Sequence, residues 1–476
     1  MTRTLCVDFG STFTKAVLLD TESAMDGKDG RAGKDGGAGM DGMVLATASV
    51  PTTISTDVLD GYQSLCKTIA AAGHPPADEV LACSSAGGGL RLAVVGYERS
   101  VTAEAGHRVG LSAGARIVHV AAGPLSVLQV AELRAARPDV ILLVGGTDGG
   151  NAEVLLHNGS RLARARLAAP VVVAGNVEAR DEVALALESN GRRFILTDNV
   201  LPQIGVINAG GARAAIREMF LRHVIGGKRL SKGPRFAAMI RAATPDAMLL
   251  GVETLAAVTE GDVLVFDIGG ATTDVYSVIT PQGEDAALRK EVVAPLWQAR
   301  TVEGDLGMRW NAGGVVEAAG VEQLLSAGGV DPGRLQSWAT RVEADPSYLP
   351  AGDAELDLDL ALARIAAVTA VRRHGRPAQP GGQARPLSRL AQVVGSGGVL
   401  RNSPKARQDK VLRAVTHDFA GGWKVPDGAR TTVDSAYLLF AVGLLAGAGA
   451  GGNRPEAAAA LAGRVLARPG SSGSRR

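Results

Sequence analysis

Two short stretches of this chain hold the residue types that phosphate chemistry needs. Residues 263–278 read VLVFDIGGATTDVYSV. An apolar run delivers one carboxylate, Asp267. Gly269 and Gly270 follow, then Thr272, Thr273 and a second carboxylate, Asp274, before apolar residues resume. This pattern predicts a β-hairpin with a small, hydroxyl-rich tip. Paired glycines let the main chain approach an anion closely and turn its N–H groups toward it. A carboxylate at a strand end can hold Mg2+, usually through water. Residues 5–20, LCVDFGSTFTKAVLLD, repeat the arrangement. With Asp8 set on Asp267, Gly10 falls on Gly269, Ser11 on Gly270, Thr14 on Thr273 and Lys15 on Asp274. A single Asp-x-Gly-Gly turn is commonplace. Two related hairpins in two halves of one chain imply a duplicated fold that grips phosphate from both sides.

A third glycine-rich turn follows late in the chain. Residues 393–402, VVGSGGVLRN, carry an apolar strand into Gly395, Gly397 and Gly398. Such glycines leave room for a flat adenine against the backbone at a helix start. Two further turns are less specific. Residues 84–89 (SSAGGG) follow a strand, but no Gly-Lys-Ser/Thr comes after them, so they do not form a Walker loop. Residues 145–151 (GGTDGGN) stand at a strand's carboxyl end, where open α/β sheets bind ligands, and read equally well as a plain turn. Glu303 and Asp305, in TVEGDLGMRWNA, fit either a cleft loop or a capped helix start.

The elements that position these groups alternate between strand and helix. Strands are expected at 116–121, 140–144, 171–174 and 194–197, with helices at 125–136 and 178–189 and a looser one near 152–167. That rhythm predicts parallel strands with crossover helices. The expected domains are a first nucleotide-binding domain over 1–114, an inserted α/β subdomain over 115–199, a return to the first domain over 200–260, a second domain over 261–448, and a disordered tail over 449–476. Residues 23–42 form an insert with glycine at every third position from 27 to 42, which reads as a flexible charged loop tip. Residues 373–386, rich in Gly, Pro, Gln and Arg, read as a mobile loop.

Composition narrows the function. The 476 residues carry 50 Lys and Arg against 48 Asp and Glu, so no nucleic-acid partner is expected. Aromatic residues make up 4%, too few for base-stacking surfaces. Three cysteines, Cys6, Cys66 and Cys83, sit in apolar runs and read as reduced core thiols of a cytoplasmic protein. Nothing in their spacing to the seven histidines suggests zinc. No signal peptide is expected, because residues 1–4 run straight into the first strand, and no membrane span, because the longest apolar stretch, 436–450, contains glycines and falls short of the ~20 residues a span needs.

Two Asp-led hairpins followed by a late glycine-rich turn resemble the actin-like ATPase superfamily. That resemblance implies two ribonuclease-H-like domains closing on Mg-ATP. The segments DFGSTFTK, PTTISTDV, LACSSAGGGLR, ILLVGGTDGGN, DNVLPQIGV, DIGGATTDV, TVEGDLGMRWNA and VVGSGGVLRN are similar, within that superfamily, to the glutamate mutase accessory protein family. The likeness spans about residues 4–445 and departs at the 23–42 insert, the 373–386 loop and the tail. It implies that Asp8, Ser11, Thr12 and Lys15, with Gly10 among them, serve the first phosphate motif. Asp267, Gly269, Gly270, Thr272, Thr273 and Asp274 would serve the second, and Gly395, Gly397 and Gly398 would contact adenosine. Phosphoryl transfer needs positioning and charge neutralisation more than covalent help. Lys15 supplies a cation, Asp8 or Asp267 holds Mg2+, and the other carboxylate orients the attacking water. The expected partner is an adenosylcobalamin-dependent mutase or aminomutase. The chain itself need not bind cobalamin, since no Asp-x-His-x-x-Gly segment occurs. A small-molecule kinase using Glu303 or Asp305 as base, and a nucleotide-binding scaffold without turnover, are the rival readings.

Overall fold

The computed structural model describes residues 2–22, 43–54, 56–85, 90–98, 102–112, 115–225, 230–232, 234–280, 298–322, 324, 330–377, 384–421, 425–447 and 454–467. The insert at 23–42, the glycines of 86–89 and residues 378–383 lie outside them. Strand β1 (Arg3–Phe9) pairs antiparallel with β2 (Phe13–Asp20), which pairs antiparallel with β3 (Val44–Pro51). On the other side β1 runs parallel to β4 (Glu79–Ser84), and β4 to β10 (Ile240–Ala243). The order is β3-β2-β1-β4-β10. The second sheet is built alike from β11 (Val263–Ile268), β12 (Thr273–Val278), β13 (Gln298–Glu303), β14 (Gln392–Ser396) and β15 (Arg430–Val433). Its order is β13-β12-β11-β14-β15, with β12 antiparallel to both neighbours and β14 and β15 parallel to β11. Each sheet therefore runs third-second-first-fourth-fifth with its second strand reversed. The chain is a duplicated ribonuclease-H-like α/β fold, as expected.

A third sheet is inserted between β4 and β10. It comprises β5 (Arg91–Gly96), β6 (Arg116–Ala122), β7 (Val140–Leu143), β8 (Val171–Val173) and β9 (Phe194–Leu196), all parallel, in the order β6-β5-β7-β8-β9. This is a doubly wound arrangement. It corrects the expected boundary at residue 115. The insertion already includes Arg91–Gly96, which becomes an inner strand because both β6 and β7 pair with it.

The two duplicated halves meet through the helices Thr244–Thr259 and Leu439–Ala446. Their backbones touch at small residues: a Cβ on Gly443 would run into the Ala247 carbonyl, and one on Gly251 into that of Leu439. The shared core holds Cys6, Val17 and Cys83 from the first sheet with Val265, Tyr276 and Val394 from the second.

Two further expectations are corrected. Within the tail read as disordered, Pro455–Leu466 is a helix that buries Ala457, Ala458, Leu461, Ala462 and Val465 against the two central helices. Alanine and leucine at helical spacing form an apolar stripe, and helix propensity is highest for alanine. Arg373 is not in a loop either, because the helix Asp353–Gly375 carries it. Among the described residues no helix is long and apolar enough to cross a membrane.

Candidate functional site

Both hairpins close in the same way. The Gly10 N–H donates to the Phe13 carbonyl at 3.2 Å, and the Gly269 N–H to the Thr272 carbonyl at 2.9 Å. Register then places Lys15 opposite Asp8 and Asp274 opposite Asp267. The backbone of each tip is held from a neighbouring segment. The Thr52 hydroxyl donates to the Gly10 carbonyl and the Thr52 N–H to the Thr12 carbonyl. In the second half the N–H groups of Arg309 and Trp310 donate to the Gly270 carbonyl at 2.8 and 2.9 Å.

The tips meet. A Cβ on Gly270 would stand 3.1 Å from the Thr12 hydroxyl oxygen. That hydroxyl is withdrawn from solvent and has no hydrogen-bond partner among the described residues. Ser11 is exposed beside it. Asp8 is 1% exposed; its Oδ1 accepts from the Thr244 hydroxyl at 2.5 Å, and its Oδ2 from the Tyr437 hydroxyl at 3.0 Å. Cys83 approaches the same Oδ1 at 3.5 Å, and burial pushes its thiol well above the usual range. The Lys15 ammonium lies 3.6 Å from the centroid of the Tyr437 ring. Burial lowers the Lys15 pKa, opposed by the charges of Asp8 and Asp267. Burial likewise raises the Asp267 pKa; the charge of Lys15 opposes that rise, and those of Asp274 and Asp8 add to it. One ammonium from the first half thus lies within the electrostatic reach of both strand-end carboxylates.

Other expected residues have structural duties in this arrangement. Thr273 is fully buried, and its hydroxyl donates to the Leu306 carbonyl. Asp274 accepts from the Thr272 hydroxyl at 2.9 Å and from Arg300 at 2.7 Å. Gly395 lies inside the sheet, where a Cβ would press on Leu400 and Phe266. Gly397 takes φ +115° and passes so near Ile268 that no side chain fits. Gly398, next in the chain, opens a short helix, and a Cβ there would meet nothing within 4 Å. Glu303 and Asp305 are both bonded to Arg373 at 2.8 Å. In the 145–151 loop Asp148, although exposed, accepts from Asn199 and from the Val177 N–H, and Asn176 donates to the Gly150 carbonyl, bonds that brace a turn.

Thr244, Tyr437, Asp434 and Arg401 belong to this site and were missed. Asp434 accepts from the N–H groups of Leu438 and Leu439, and burial pushes its pKa up to about 6. Arg401 lies 5.8 Å from the Tyr437 ring centroid. Only Thr244, just ahead of Pro245 at a helix start, had a local signal, and that signal speaks for capping.

The residues fit a nucleotide. The first tip carries an exposed serine and an orphaned hydroxyl that abuts Gly270 of the second, where phosphate would lie, and the Gly398 backbone is open where a base would lie. Among the described residues no three His, Cys, Asp or Glu could hold a metal together. A Mg2+ at Asp8 or Asp267 would therefore draw most of its ligands from phosphate and water, as this ion ordinarily does.

The duplicated sheets define the actin-like ATPase fold, here with an added doubly wound domain. More particularly, the chain belongs to the MutL protein family, whose model matches residues 4–465. It is 34% identical over 469 residues to Protein MutL of Clostridium tetanomorphum, covering 93% of this chain and 95% of that one. Among solved structures it is similar to nucleotide-free acetone carboxylase, with 14% identity, a TM-score of 0.37, and 93% of this chain and 69% of that one covered. It is also similar to the activator of 2-hydroxyisocaproyl-CoA dehydratase from Clostridium difficile with bound ADPNP, with 11% identity, a TM-score of 0.30, and 99% and 100% covered. At these scores neither likeness bears on function.

Proposed function

We propose that this chain is a Mg-ATP-dependent ATPase serving as accessory and reactivating protein to an adenosylcobalamin-dependent mutase or aminomutase. The observation that carries the ATPase reading is the convergence of the two hairpins: Thr12 of the first tip abuts Gly270 of the second, and Tyr437 of the second half holds both Asp8 and the Lys15 ammonium of the first. Phosphates held there are gripped by both halves, so binding and hydrolysis bias closure about the central helices. Asp8 or Asp267 would hold Mg2+, which neutralises phosphate charge, and the other would orient water. Membership of the MutL family and the motif likeness to glutamate mutase accessory proteins support the mutase as client. The inserted domain is the proposed grip on that client, and Ile204 and Val206 stand exposed in the turn that follows its last strand, β9.

The test uses a mutase inactivated by its own turnover, supplied with fresh adenosylcobalamin. Activity is expected to return only with both this chain and Mg-ATP, and to fail with Lys15→Met or Asp267→Asn. Recovery driven equally well by a non-hydrolysable ATP analogue would refute the coupling to hydrolysis. ATP consumption stimulated only by a metabolite, with a phosphorylated product and no effect on the mutase, would establish the kinase reading instead.

A further inference from the structure

Asp8 is anchored by two hydroxyls from distant parts of the chain, and one of them comes from the opposite half. Thr244 opens the helix Thr244–Thr259 that joins the halves. Tyr437 follows β15 of the second sheet, just before the helix Leu439–Ala446. Tyr437 has φ +54°, a left-handed conformation that costs a non-glycine residue strain. The turn that imposes this conformation is well braced. The Asp434 N–H donates to the Gly395 carbonyl at 2.9 Å, the Asp434 carboxylate caps the Leu439–Ala446 helix, and the Tyr437 N–H donates to the Asp434 carbonyl at 3.2 Å. Strained backbone held by such bracing commonly marks a functional site.

We infer that Tyr437 is a positioning residue for the phosphate chemistry: its hydroxyl fixes Asp8 Oδ2 while its ring carries the Lys15 ammonium. The second half thereby aims the two charged groups of the first. A continuous path runs from the glycine-rich strand through Asp434 to Tyr437, so a nucleotide seated at Gly397 and Gly398 acts on Asp8 through covalent neighbours and three hydrogen bonds, Gly395 to Asp434, Asp434 to Tyr437 and Tyr437 to Asp8. Burial, with Asp8 alongside, keeps the phenol protonated and therefore a donor. The ring has a cation-binding duty distinct from the hydroxyl's, since an ammonium 3.6 Å above an aromatic face is attracted to it electrostatically. The two duties separate in the variants: Tyr437→Phe keeps ring and packing and loses only the hydroxyl, whereas Tyr437→Leu loses both.

This inference rests on the ATPase reading, and the experiment keeps the two apart. Steady-state ATP hydrolysis and ADP binding by calorimetry are measured on the full chain for wild type, Tyr437→Phe and Tyr437→Leu, with thermal unfolding of each. Lys15 labelling by an amine reagent is read by mass spectrometry. Tyr437→Phe is expected to lower kcat about tenfold, the worth of one hydrogen bond to a charged group, with ADP Kd unchanged within about twofold. Tyr437→Leu is expected to lower kcat further and to make Lys15 label several-fold faster, while Tyr437→Phe labels as wild type does. Wild-type turnover matched by Tyr437→Phe would overturn the inference and leave the ATPase reading standing. Equal losses in kcat and in ADP affinity would also overturn it, because they would mark a merely structural residue. A wild-type chain without ATP turnover would overturn both.

Discussion

Replacing Gly397 and its neighbour Gly398 separately by alanine tests whether the late glycine turn is built for packing, for a ligand, or for both. Gly397 sits at φ +115°, and a Cβ there would fall within the Ile268 carbonyl and 3.0 Å from both the carbonyl carbon and the nitrogen of that residue. The obstacle is backbone, and it lies on β11 one residue beyond Asp267, so it cannot yield without moving the site. The left-handed conformation costs alanine about 1–3 kcal/mol. Displacing a packed backbone costs about another 1–3 kcal/mol. Gly397→Ala should therefore destabilise by about 2–6 kcal/mol and weaken nucleotide binding. At Gly398 a Cβ meets nothing within 4 Å. Gly398→Ala should then change stability by no more than about 0.5 kcal/mol. If a base does lie on that backbone, the variant still loses roughly tenfold in ADP affinity, because the added methyl stands where the ligand packs. Urea unfolding followed by circular dichroism, with ADP titration of both variants, measures each quantity. A Gly397→Ala protein as stable as wild type would refute the packing argument. A Gly398→Ala protein with unchanged ADP affinity would remove that residue from the nucleotide site.

Other variants test the scaffold. Arg309 and Asp359 form a buried two-bonded ion pair at 2.8 and 3.0 Å, joined by the Trp338 indole at 3.2 Å. Arg309→Met should cost about 3–5 kcal/mol by leaving the carboxylate unpaired, and Arg309→Met with Asp359→Leu should recover much of that loss in urea unfolding. His374 is fully buried between the Ser277 and Thr301 hydroxyls, and burial drops its pKa well below 6.5. Its folded ring stays neutral where the unfolded ring is protonated, so its contribution is present above pH 6.5 and is lost as pH falls. The loss is about 1.4 kcal/mol per pH unit until the folded ring protonates, and His374→Gln should abolish that part of the acid sensitivity. Removing residues 452–476 takes away the apolar stripe of Pro455–Leu466; burial of one Leu, one Val and three Ala predicts a loss of about 5 kcal/mol, visible as a lowered unfolding midpoint.

The sequence alone determined the two Asp-led hairpins, their correspondence residue by residue, and the alternation that makes the inserted sheet parallel. All three are local: an apolar run, a glycine turn and a return run are written within about 16 residues, and strand and helix periods differ plainly. Tertiary structure alone decided the rest. Arg91–Gly96 belongs to the inserted sheet because two later strands pair with it, and no property of those six residues says so. The tail helix is ordered because its stripe finds the central helices, while its alanine-rich composition taken alone reads as solvated. Asp8 was legible, but its partners were not. Thr244 lies 236 residues away and Tyr437 lies 429 residues away, and hydrogen bonds between such distant groups leave no periodicity along the chain. Pairing of β10 with β4 brings the Thr244 hydroxyl to that carboxylate, and only the folding of one half onto the other brings Tyr437.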